Sequence, residues 1–370
     1  MCKKIVYLTS TLKKTGPIDV LYDIIKNLDK TKYEPILVTF KKQVNDSKID
    51  DFIKLGIKIE YLNLNALTTY LFGGFVVRNL IRRIKPDIIQ VQNFLMFILA
   101  GFYLFRYKRC AVVQCDYPCE YEFTYGKILS KIMVLLQTIA LKSIKNIYCA
   151  SKMTAGILQN KFPFLSFDYI DDSVDTDRFS PEQNKQNLRE KLNLPKDKKI
   201  FIWVGVLNSR KDPLLLASAI KNLKSKDNFF IFCGGGELNN DLNEATAEMS
   251  NILLTGQISM EQLAEYMKSS DYYISTSHSE GLPLSVLEGL SCGLPIVVSD
   301  IEQHTYIFKD EKIGLTFSDG NQENLQENLV KILNCNYEEY SRNARNLVVK
   351  YFSSKTMTEN YQKKYEELMK

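Results

Sequence analysis

Residues 275–300 read STSHSEGLPLSVLEGLSCGLPIVVSD, and this stretch decides the fold. It begins where an apolar strand ends. Gly281 permits either an unusual backbone conformation or the close approach of a ligand. Pro283 suits the first position of a helix because its missing N–H would have no partner there. Leucines at every third position then form an apolar face, and a glycine followed by Pro295 ends the helix before the strand Ile296–Ser299.

This strand–loop–helix–strand pattern predicts a parallel α/β unit with a binding site at its loop. Residues Gly281, Leu282, Pro283 and Leu284 would lie at the N-terminus of the helix, where N–H groups without partners and the helix dipole attract anions. The carboxyl ends of parallel strands are also where open α/β sheets bind ligands. We therefore expect these four residues to bind an anionic substrate.

Two carboxylates, Glu280 and Glu288, lie on either side of this helix start. Glu288 is placed to accept hydrogen bonds from a ribose diol, and Glu280 from the hydroxyl groups of a second sugar. The alternative is that Glu280 only caps the helix and Glu288 is a solvated side chain.

Short apolar runs that alternate with helical periodicity extend this pattern along the chain. Such runs are typical of parallel strands covered on both faces. In the first half they are Ile5–Leu8, Ile36–Phe40, Ile57–Leu62, Asp87–Val91, Ala111–Gln114 and Asn146–Ala150. In the second half they are Ile200–Val204, Phe229–Cys233, Ile252–Thr255, Tyr272–Ser275, Ile296–Ser299 and Gly314–Phe317. The fold class is therefore α/β, with two tandem doubly wound, Rossmann-like domains that we expect to face a central cleft.

The polar segment 181–199, which contains two prolines and one short helix candidate, predicts a linker. We expect an N-terminal domain at 1–180 and a second domain at 200–345. The remaining residues, 346–370, have a helical pattern, and this helix could pack back on the N-terminal domain.

Composition and charge limit the class of protein and the partners it could bind. Among the 370 residues, 45% are hydrophobic and 25% charged, which is ordinary for a folded protein and excludes extensive disorder. Residues 1–180 carry a net charge of +9 and residues 181–370 a net charge of −4. The basic half suggests contact with an anionic surface, although chance and solubility explain the asymmetry equally well. Nucleic-acid binding has little support because no aromatic and basic stripe stands out.

The N-terminus and the cysteines indicate the cellular compartment of the protein. The run Ile5–Leu8 is too short for a signal-peptide core, and the eight cysteines have no framework spacing, so we expect reduced thiols in the cytoplasm. The apolar run 94–105 is shorter than the roughly 20 residues of a spanning helix. A core helix is the favoured interpretation, with contact to a membrane surface as the alternative, to which Arg82, Arg83, Arg106 and Arg109 would contribute.

A second strand-to-helix junction follows the strand Ile200–Val204, in IFIWVGVLNSRKDPLLL. The strand ends at Gly205, and Arg210 and Lys211 stand just before the next helix. Adjacent cations beside a helix N-terminus can clamp a diphosphate, and arginine can bind it through two parallel hydrogen bonds. The alternative is a solvated basic loop.

These motifs carry a resemblance. Glu280, Gly-Leu-Pro and Glu288 form an E-x7-E pattern that resembles retaining nucleotide-sugar glycosyltransferases of the GT-B fold, specifically glycosyltransferase family 4 of the bacterial surface-polysaccharide type. VGVLNSRKDP resembles the family's basic loop, and KPDIIQVQN, SVDTDRFSP, SDIEQHTYI and TGPIDVLYDI resemble its other landmarks in the same order. The resemblance covers nearly the whole chain, specifically in the C-terminal half and loosely in the N-terminal half.

The resemblance implies that the domain at 1–180 lies on the acceptor side and that the domain at 200–345 binds the nucleotide sugar. It also implies roles for individual residues. Arg210 and Lys211 would bind the diphosphate with Gly16 and Gly205 nearby, and with Glu280 they form the expected catalytic group. Gln114 and Asp116, in VVQCDYP, would lie on the substrate side.

The chain also departs from the family pattern. Gln90, Gln92 and Gln114 stand where many members have histidine, and Val206 stands where many have arginine. These departures concern the sugar-facing and acceptor side more than the diphosphate clamp.

The implied function is transfer of a hexose, with retention of configuration and without a metal ion or cofactor. The donor would be a nucleotide-diphosphate sugar, a UDP-sugar by expectation. The acceptor would be a lipid-linked saccharide at the inner face of an anionic membrane. Two alternatives remain open: a catalytically degenerate partner subunit, suggested by the missing histidines, and a nucleotide-sugar epimerase.

Overall fold

The computed structural model describes residues 2–40, 47–62, 64, 66–223, 227–309 and 311–370, with the side chains of 66–71 left out. The chain divides into two compact units, one formed by Met1–Asp172 with Ser354–Lys370 and the other by Ser173–Ser353. The segment 181–199, predicted as a linker, lies within the second unit.

The first unit is built on a parallel sheet of seven strands. They are β1 (Lys3–Leu8), β2 (Tyr33–Thr39), β3 (Lys58–Tyr61), β4 (Ile88–Gln92), β5 (Arg109–Val113), β6 (Asn146–Cys149) and β7 (Phe167–Tyr169), in the order β3-β2-β1-β4-β5-β6-β7. The helices are α1 (Gly16–Asn27), α2 (Ile49–Lys54), α3 (Ala66–Ile84), α4 (Phe94–Tyr103), α5 (Tyr117–Ile144), α6 (Lys152–Lys161) and, from the C-terminus, α15 (Ser354–Met369). The six predicted strands are present. The seventh, β7, was missed because it has three residues, is largely exposed and lacks a continuous apolar run.

Two apolar clusters lie on opposite faces of this sheet. Helices α3 to α6 contribute to one cluster, and α1, α2 and α15 contribute to the other. Helix α15 packs along α1 and also reaches β4, where the Tyr365 hydroxyl donates to Gln90 Oε1 at 2.5 Å. Gln90 is only 2% exposed. It is therefore a buried hydrogen-bond partner of the C-terminal helix.

Helix α4 is buried as its apolar sequence predicts, with Met96, Phe97 and Leu99 in the core. Its neighbour Arg109 does not contribute to a basic surface, which corrects the expectation drawn from the sequence. Arg109 is 6% exposed, and its guanidinium donates to the carbonyl oxygens of Ala100 at 2.5 Å and Ser143 at 2.7 Å. It bridges α4 and α5 because both carbonyls lie near helix ends, where they need donors.

The second unit contains a parallel sheet of six strands, all predicted. They are β8 (Lys199–Val204), β9 (Asn228–Cys233), β10 (Ile252–Gly256), β11 (Tyr272–Ser275), β12 (Ile296–Ser299) and β13 (Gly314–Phe317), in the order β10-β9-β8-β11-β12-β13. The helices are α7 (Lys185–Lys191), α8 (Pro213–Asn222), α9 (Asn239–Thr246), α10 (Met260–Ser269), α11 (Leu284–Ser291), α12 (Glu302–Phe308), α13 (Gln322–Leu333) and α14 (Tyr337–Tyr351). In both sheets the strand order reverses once, between β1 and β4 and between β8 and β11, which is the arrangement of doubly wound folds. Among the described residues, no helix is both long enough and apolar enough to cross a membrane.

The contact between α4 and α5 gives a stability prediction. A Cβ at Gly101 would lie 2.7 Å from Ala140 Cα, so Gly101→Ala should force the helices apart and lower the free energy of unfolding by about 1–3 kcal/mol. Gly156, on α6, has no atom within 4 Å of the same position. Gly156→Ala should therefore be neutral or stabilising by up to about 1 kcal/mol. Urea denaturation of both variants measures this, and equal effects would contradict the close packing of α4 on α5.

Candidate active site

The candidate site lies where the order of the second sheet reverses. Strands β8 and β11 are adjacent and parallel, with Trp203 beside Ile274, so the loops that follow them start at the same sheet edge. The first loop carries Arg210 and Lys211, and the second carries Glu280. The fold thus brings together two sequence motifs that lie about 70 residues apart.

Hydrogen bonds tie the two loops to each other. Trp203 Nε1 donates to Thr276 Oγ1 at 3.0 Å, and that hydroxyl donates to the carbonyl oxygens of Lys211 and Asp212, both at 2.8 Å. The His278 N–H donates to the Arg210 carbonyl at 2.9 Å. Because Thr276 is fully buried, this network fixes the backbone on both sides of the charged residues.

Glycines let a third loop pack against the first. At Gly234, φ is +145°, and a Cβ would lie 1.8 Å from the Gly205 carbonyl oxygen. At Gly236 a Cβ would lie 2.4 Å from the Leu207 carbonyl oxygen. The glycine-rich turn after β9 is therefore required for the shape of the basic loop.

Arg210, Lys211 and Glu280 form an ion triad. Glu280 Oε1 binds the Lys211 ammonium, and Glu280 Oε2 lies 3.1 Å from Arg210 Nη1. Arg210 Nη1 also donates to the Ser279 carbonyl at 2.6 Å. The Glu280 side chain is 7% exposed, the Lys211 side chain 12% and the Arg210 side chain 47%. Glu280 therefore anchors two cations, and the arginine faces solvent.

The two cations of the triad hold Glu280 ionised. Burial alone would raise the pKa of Glu280, but the adjacent Lys211, the Ser277 hydroxyl and Arg210 outweigh it and hold that pKa below its usual range. With one carboxylate and two cations, the triad keeps a net charge of +1. Glu280 is thus neither a simple helix cap nor part of a solvated loop.

Helix α11 begins one residue later than the sequence predicts. Pro283 is the N-cap, with φ −77° and ψ 78°, and the helix starts at Leu284. The Leu284 N–H is not available, because it donates to the Leu282 carbonyl at 2.9 Å. The N–H groups of Gly281 and Leu282 donate no hydrogen bond within the described part of the chain, and a Cβ at Gly281 would meet open space. Gly281 therefore leaves room for the close approach of a ligand.

The second carboxylate, Glu288, lies on α11 near Tyr273. Burial raises the pKa of Tyr273, and Glu288 and Glu280 raise it further. Both carboxylates are therefore close enough to the Tyr273 hydroxyl to act on it. Both ends of the E-x7-E pattern thus act electrostatically on the same buried tyrosine of the second unit.

His304, on α12, is a site residue that sequence reasoning did not single out. It is fully buried, and burial lowers its pKa to about 4, so its imidazole is neutral at pH 7. Its Nδ1 lies 3.0 Å from the Ser299 carbonyl oxygen, while its buried Nε2 has no partner among the described residues. Glu280 and Lys211 both influence its titration, which places it beside the triad. The segment SDIEQHTYI was the only sequence signal that could have marked it.

His278 joins the basic loop to the loop after β13. Its Nδ1 lies 2.6 Å from Asp319 Oδ1, and its Nε2 lies 3.2 Å from Asp212 Oδ2. Burial alone would lower the pKa of His278, but Asp319 and then Asp212 outweigh it and raise that pKa. An imidazolium donates to both carboxylates, so the protonated His278 ring links the two loops through two charged hydrogen bonds. Among the described residues, no group of three or more His, Cys, Asp or Glu side chains could hold a metal ion.

Three predicted site residues belong to the first unit. Gly16 begins α1, is exposed, and has no atom within 4 Å of a Cβ position. Asp116 is the N-cap residue of α5, makes no capping bond, and forms an ion pair with Lys161. Gln114 follows β5, and its buried Nε2 has no partner among the described residues.

Gln114 lines a cavity of about 320 Å³ at the carboxyl edge of the first sheet. Its wall is mainly apolar and includes five aromatic rings, those of Phe94, Phe97, Tyr117, Tyr121 and Tyr125. Asn93 and Gln137 also line it, and the buried atoms Asn93 Oδ1 and Gln137 Nε2 have no partner in the described chain. Asn93 has φ +69°, an uncommon backbone conformation that clusters at binding sites.

The raised pKa of His278 gives a pH prediction. A histidine whose pKa is raised by folding stabilises the protein fully below about pH 6.5, and this contribution disappears as the pH rises through the higher folded value. The stability difference between the wild type and His278→Asn should therefore be largest near pH 6 and smallest near pH 9. Urea denaturation across this range measures it. A stability difference that is constant with pH would contradict the protonated His278 that links Asp319 and Asp212.

Comparison with known proteins places this geometry in a family. Residues 184–347 match the family model described as glycosyl transferases group 1. The chain is 29% identical over 290 residues to the UDP-Gal:alpha-D-GlcNAc-diphosphoundecaprenol alpha-1,3-galactosyltransferase of Escherichia coli, covering 74% of this chain and 73% of that protein. It is 23% identical over 252 residues to the alpha-monoglucosyldiacylglycerol synthase of Streptococcus pneumoniae, covering 64% of this chain and 57% of that protein.

Solved structures agree on the fold. A glycosyltransferase from Rickettsia africae matches with a TM-score of 0.77 at 18% identity, covering 100% of this chain and 99% of that one. The HepE protein of Anabaena in complex with UDP matches with a TM-score of 0.78 at 14% identity, covering 98% of this chain and 100% of that one. The two doubly wound sheets and these structural matches give the chain the GT-B fold, and its second unit is similar to the glycosyl transferases group 1 family.

Proposed function

We propose that the protein transfers a hexose from a UDP-sugar to a lipid-linked saccharide, with retention of anomeric configuration and without a metal ion. In this proposal the second unit binds the donor through the triad, and the first unit binds the acceptor in its aromatic cavity. The pathway class is surface polysaccharide synthesis, at the inner face of the cell membrane.

The observation that carries the proposal is the half-exposed guanidinium held by a buried carboxylate. The side-chain hydrogen bonds of Arg210 within the described residues all use Nη1, and Nη2 and Nε make none there. These two nitrogens form the fork that binds a phosphate through two parallel hydrogen bonds. Glu280 holds this fork in place, so little side-chain entropy is lost when a diphosphate binds.

The chemical step follows from this charge distribution. The anomeric C–O bond breaks, and its electron pair stays on the diphosphate oxygen. The acceptor hydroxyl attacks from the same face, and its proton passes to that departing oxygen. Arg210 and Lys211 stabilise the growing negative charge, an electrostatic contribution worth about 3 kcal/mol for each well-aimed donor.

The remaining residues position the donor. A carboxylate has about four acceptor positions, so Glu280 can bind both cations and still accept a hydrogen bond from a hexose hydroxyl. The open N–H groups of Gly281 and Leu282 lie next to it. Glu288 binds the ribose diol in this arrangement.

The acceptor proposal rests on the cavity of the first unit. Aromatic faces stack on sugar rings, and the amides of Asn93, Gln114 and Gln137 offer one acceptor and two donors without partners among the described residues. The enzyme from Escherichia coli named above acts on a diphosphoundecaprenol-linked sugar, which supports an acceptor of the same chemical kind.

Removing the cations should abolish turnover. We expect Arg210→Ala and Lys211→Ala each to lower kcat/KM by about 100- to 1,000-fold, because each removes a charge aimed at the leaving group. The measurement is nucleotide release from a panel of nucleotide-diphosphate sugars. The matched control is Lys221→Ala, an exposed lysine of α8, which should leave the rate unchanged. A wild-type rate no higher than that of Glu280→Gln would instead support the partner-subunit alternative.

Donor binding can be tested without an acceptor. UDP at 100 times its dissociation constant should stabilise the wild type by about 2.7 kcal/mol, seen as a higher Tm. Arg210→Ala should lose most of this shift. If no nucleoside diphosphate raises the Tm of the wild-type protein, the proposed donor site is contradicted. In a separate activity measurement, loss of turnover on addition of a chelator would contradict the metal-independent step.

The cavity gives a separate prediction. Gln114→Leu removes an N–H that we assign to the acceptor, so it should lower kcat/KM for the acceptor about tenfold and leave the UDP-induced Tm shift intact. The variant should be no less stable than the wild type, because a buried amide without a partner contributes nothing favourable to folding. Gln186→Leu, on α7, serves as the control. An unchanged acceptor kcat/KM would exclude Gln114 from the site.

A further inference from the structure

The outer half of α5 is inverted relative to an ordinary surface helix. After Gly126, where φ is +75° and the helix kinks, the buried positions include the polar residues Ser130, Gln137 and Thr138. The exposed positions include six apolar residues: Ile128 (82% exposed), Leu129 (49%), Ile132 (52%), Leu135 (60%), Leu136 (38%) and Ile139 (44%). Their spacing places all six on one side of the helix. We call this set the α5 stripe.

Apolar surface continues beyond the stripe. Before the kink, Phe123 is 92% exposed and Tyr125 is 51% exposed. Helix α4 packs beside α5, and α3 packs beside α4; four more exposed aromatic rings lie on α3, on α4 or just after α4: Phe72, Phe75, Phe102 and Phe105. Exposed apolar surface of this extent marks an interaction site rather than ordinary solvent contact.

The charge around the stripe has one sign. Between Phe123 and Lys145 the sequence contains four lysines and no aspartate or glutamate. Lys131 and Lys142 lie three or four residues from members of the stripe, so they share its side of the helix. Arg106, at the end of α4, is exposed beside the ring of Phe105. A partner that complements this surface therefore presents both apolar groups and negative charges.

We propose that the α5 stripe and its lysines form a docking surface for an anionic lipid bilayer. An amphipathic helix with lysines beside an apolar face binds in the plane of such a surface, its side chains reaching the boundary between head groups and acyl chains. A second copy of the chain fits less well, because a two-fold interface on this face would bring lysines against lysines. This inference rests on the proposed function only for its purpose, which is access to a lipid-linked acceptor.

The rings of α5 connect the docking surface to the cavity. Tyr125 is half exposed and also lines the cavity, and its ring centroid lies 6.2 Å from that of Tyr121. Tyr121 lies 6.0 Å from the buried Tyr117 and 5.7 Å from Phe94. A saccharide carried by a lipid could thus pass from the bilayer surface to the cavity along one row of aromatic rings.

Vesicle flotation tests the proposal. The wild type should float with vesicles that contain about one third phosphatidylglycerol and bind pure phosphatidylcholine vesicles at least tenfold more weakly. The triple variant Ile128→Ser, Ile132→Ser, Leu135→Ser should lose flotation. The variant Lys127→Gln, Lys131→Gln, Lys142→Gln should bind on the order of a hundredfold more weakly, given the usual attraction of each lysine to an anionic surface.

The controls distinguish specific docking through this surface from nonspecific adsorption and from misfolding of the variants. Met260→Ser with Val330→Ser, which changes two exposed apolar residues of the second unit, should float like the wild type. Each variant should keep the wild-type circular dichroism and the Tm shift with UDP. Because flotation is measured without donor or acceptor, a negative result leaves the transferase proposal standing, and failure of nucleotide release leaves this one standing.

Two results would overturn the docking surface. One is flotation of the isoleucine and leucine variant at the wild-type level. The other is a wild-type protein that does not float but sediments as a dimer, with the same variant sedimenting as a monomer, which would assign the stripe to a second copy of the chain.

Discussion

The ion contacts of Glu280 with Lys211 and Arg210 organise the second unit's site. A carboxylate that is 7% exposed would be protonated or displaced without cations beside it, and two adjacent cations would repel each other without the carboxylate. Each therefore requires the other two. The fold meets this requirement by placing the three residues on loops that leave neighbouring parallel strands and by locking the loops through Trp203 and Thr276. What remains after this mutual neutralisation is one positive charge and an arginine edge directed away from the carboxylate.

This arrangement divides two tasks among similar groups. Lys211 is mostly buried and holds Glu280 ionised, whereas Arg210 is half exposed and keeps nitrogens free within the described chain. His278 holds a third loop by charge in the same way. It connects Asp212, the N-cap of α8, to Asp319 after β13. Three loops at the carboxyl edge of the sheet are thus held by charge pairs. A site held in this way is already shaped before a diphosphate binds, which favours stabilisation of developing charge over induced rearrangement.

The sequence predicts the sheets well because strands buried on both faces leave continuous apolar runs. It also predicts that Arg210, Lys211 and Glu280 meet, since parallel strands place their following loops on one edge. It does not predict the ion triad itself, because spacing along the chain says nothing about which charges pair. The start of α11 is off by one residue because a proline fits both the N-cap and the first helical position. Arg109 was misassigned because nothing local distinguishes an arginine that caps helix carbonyls from one in solvent. The buried position of His304 was missed because burial is a tertiary property.

The α5 stripe shows the limit of periodicity most clearly. An amphipathic pattern identifies two faces of a helix, and burial of the apolar face is the usual outcome. Here Gly101 allows α4 to approach Ala140 so closely that the small and polar side of α5 packs inward, and the Tyr121 hydroxyl takes Gln137 as a partner. Six larger apolar side chains between Ile128 and Ile139 lie on the opposite side and remain exposed, whereas Leu141 and Ile144 are buried. The pattern is the same in both orientations, so only the packing of small residues between α4 and α5 decides which face meets solvent, and that is a tertiary property which the sequence of α5 alone does not contain.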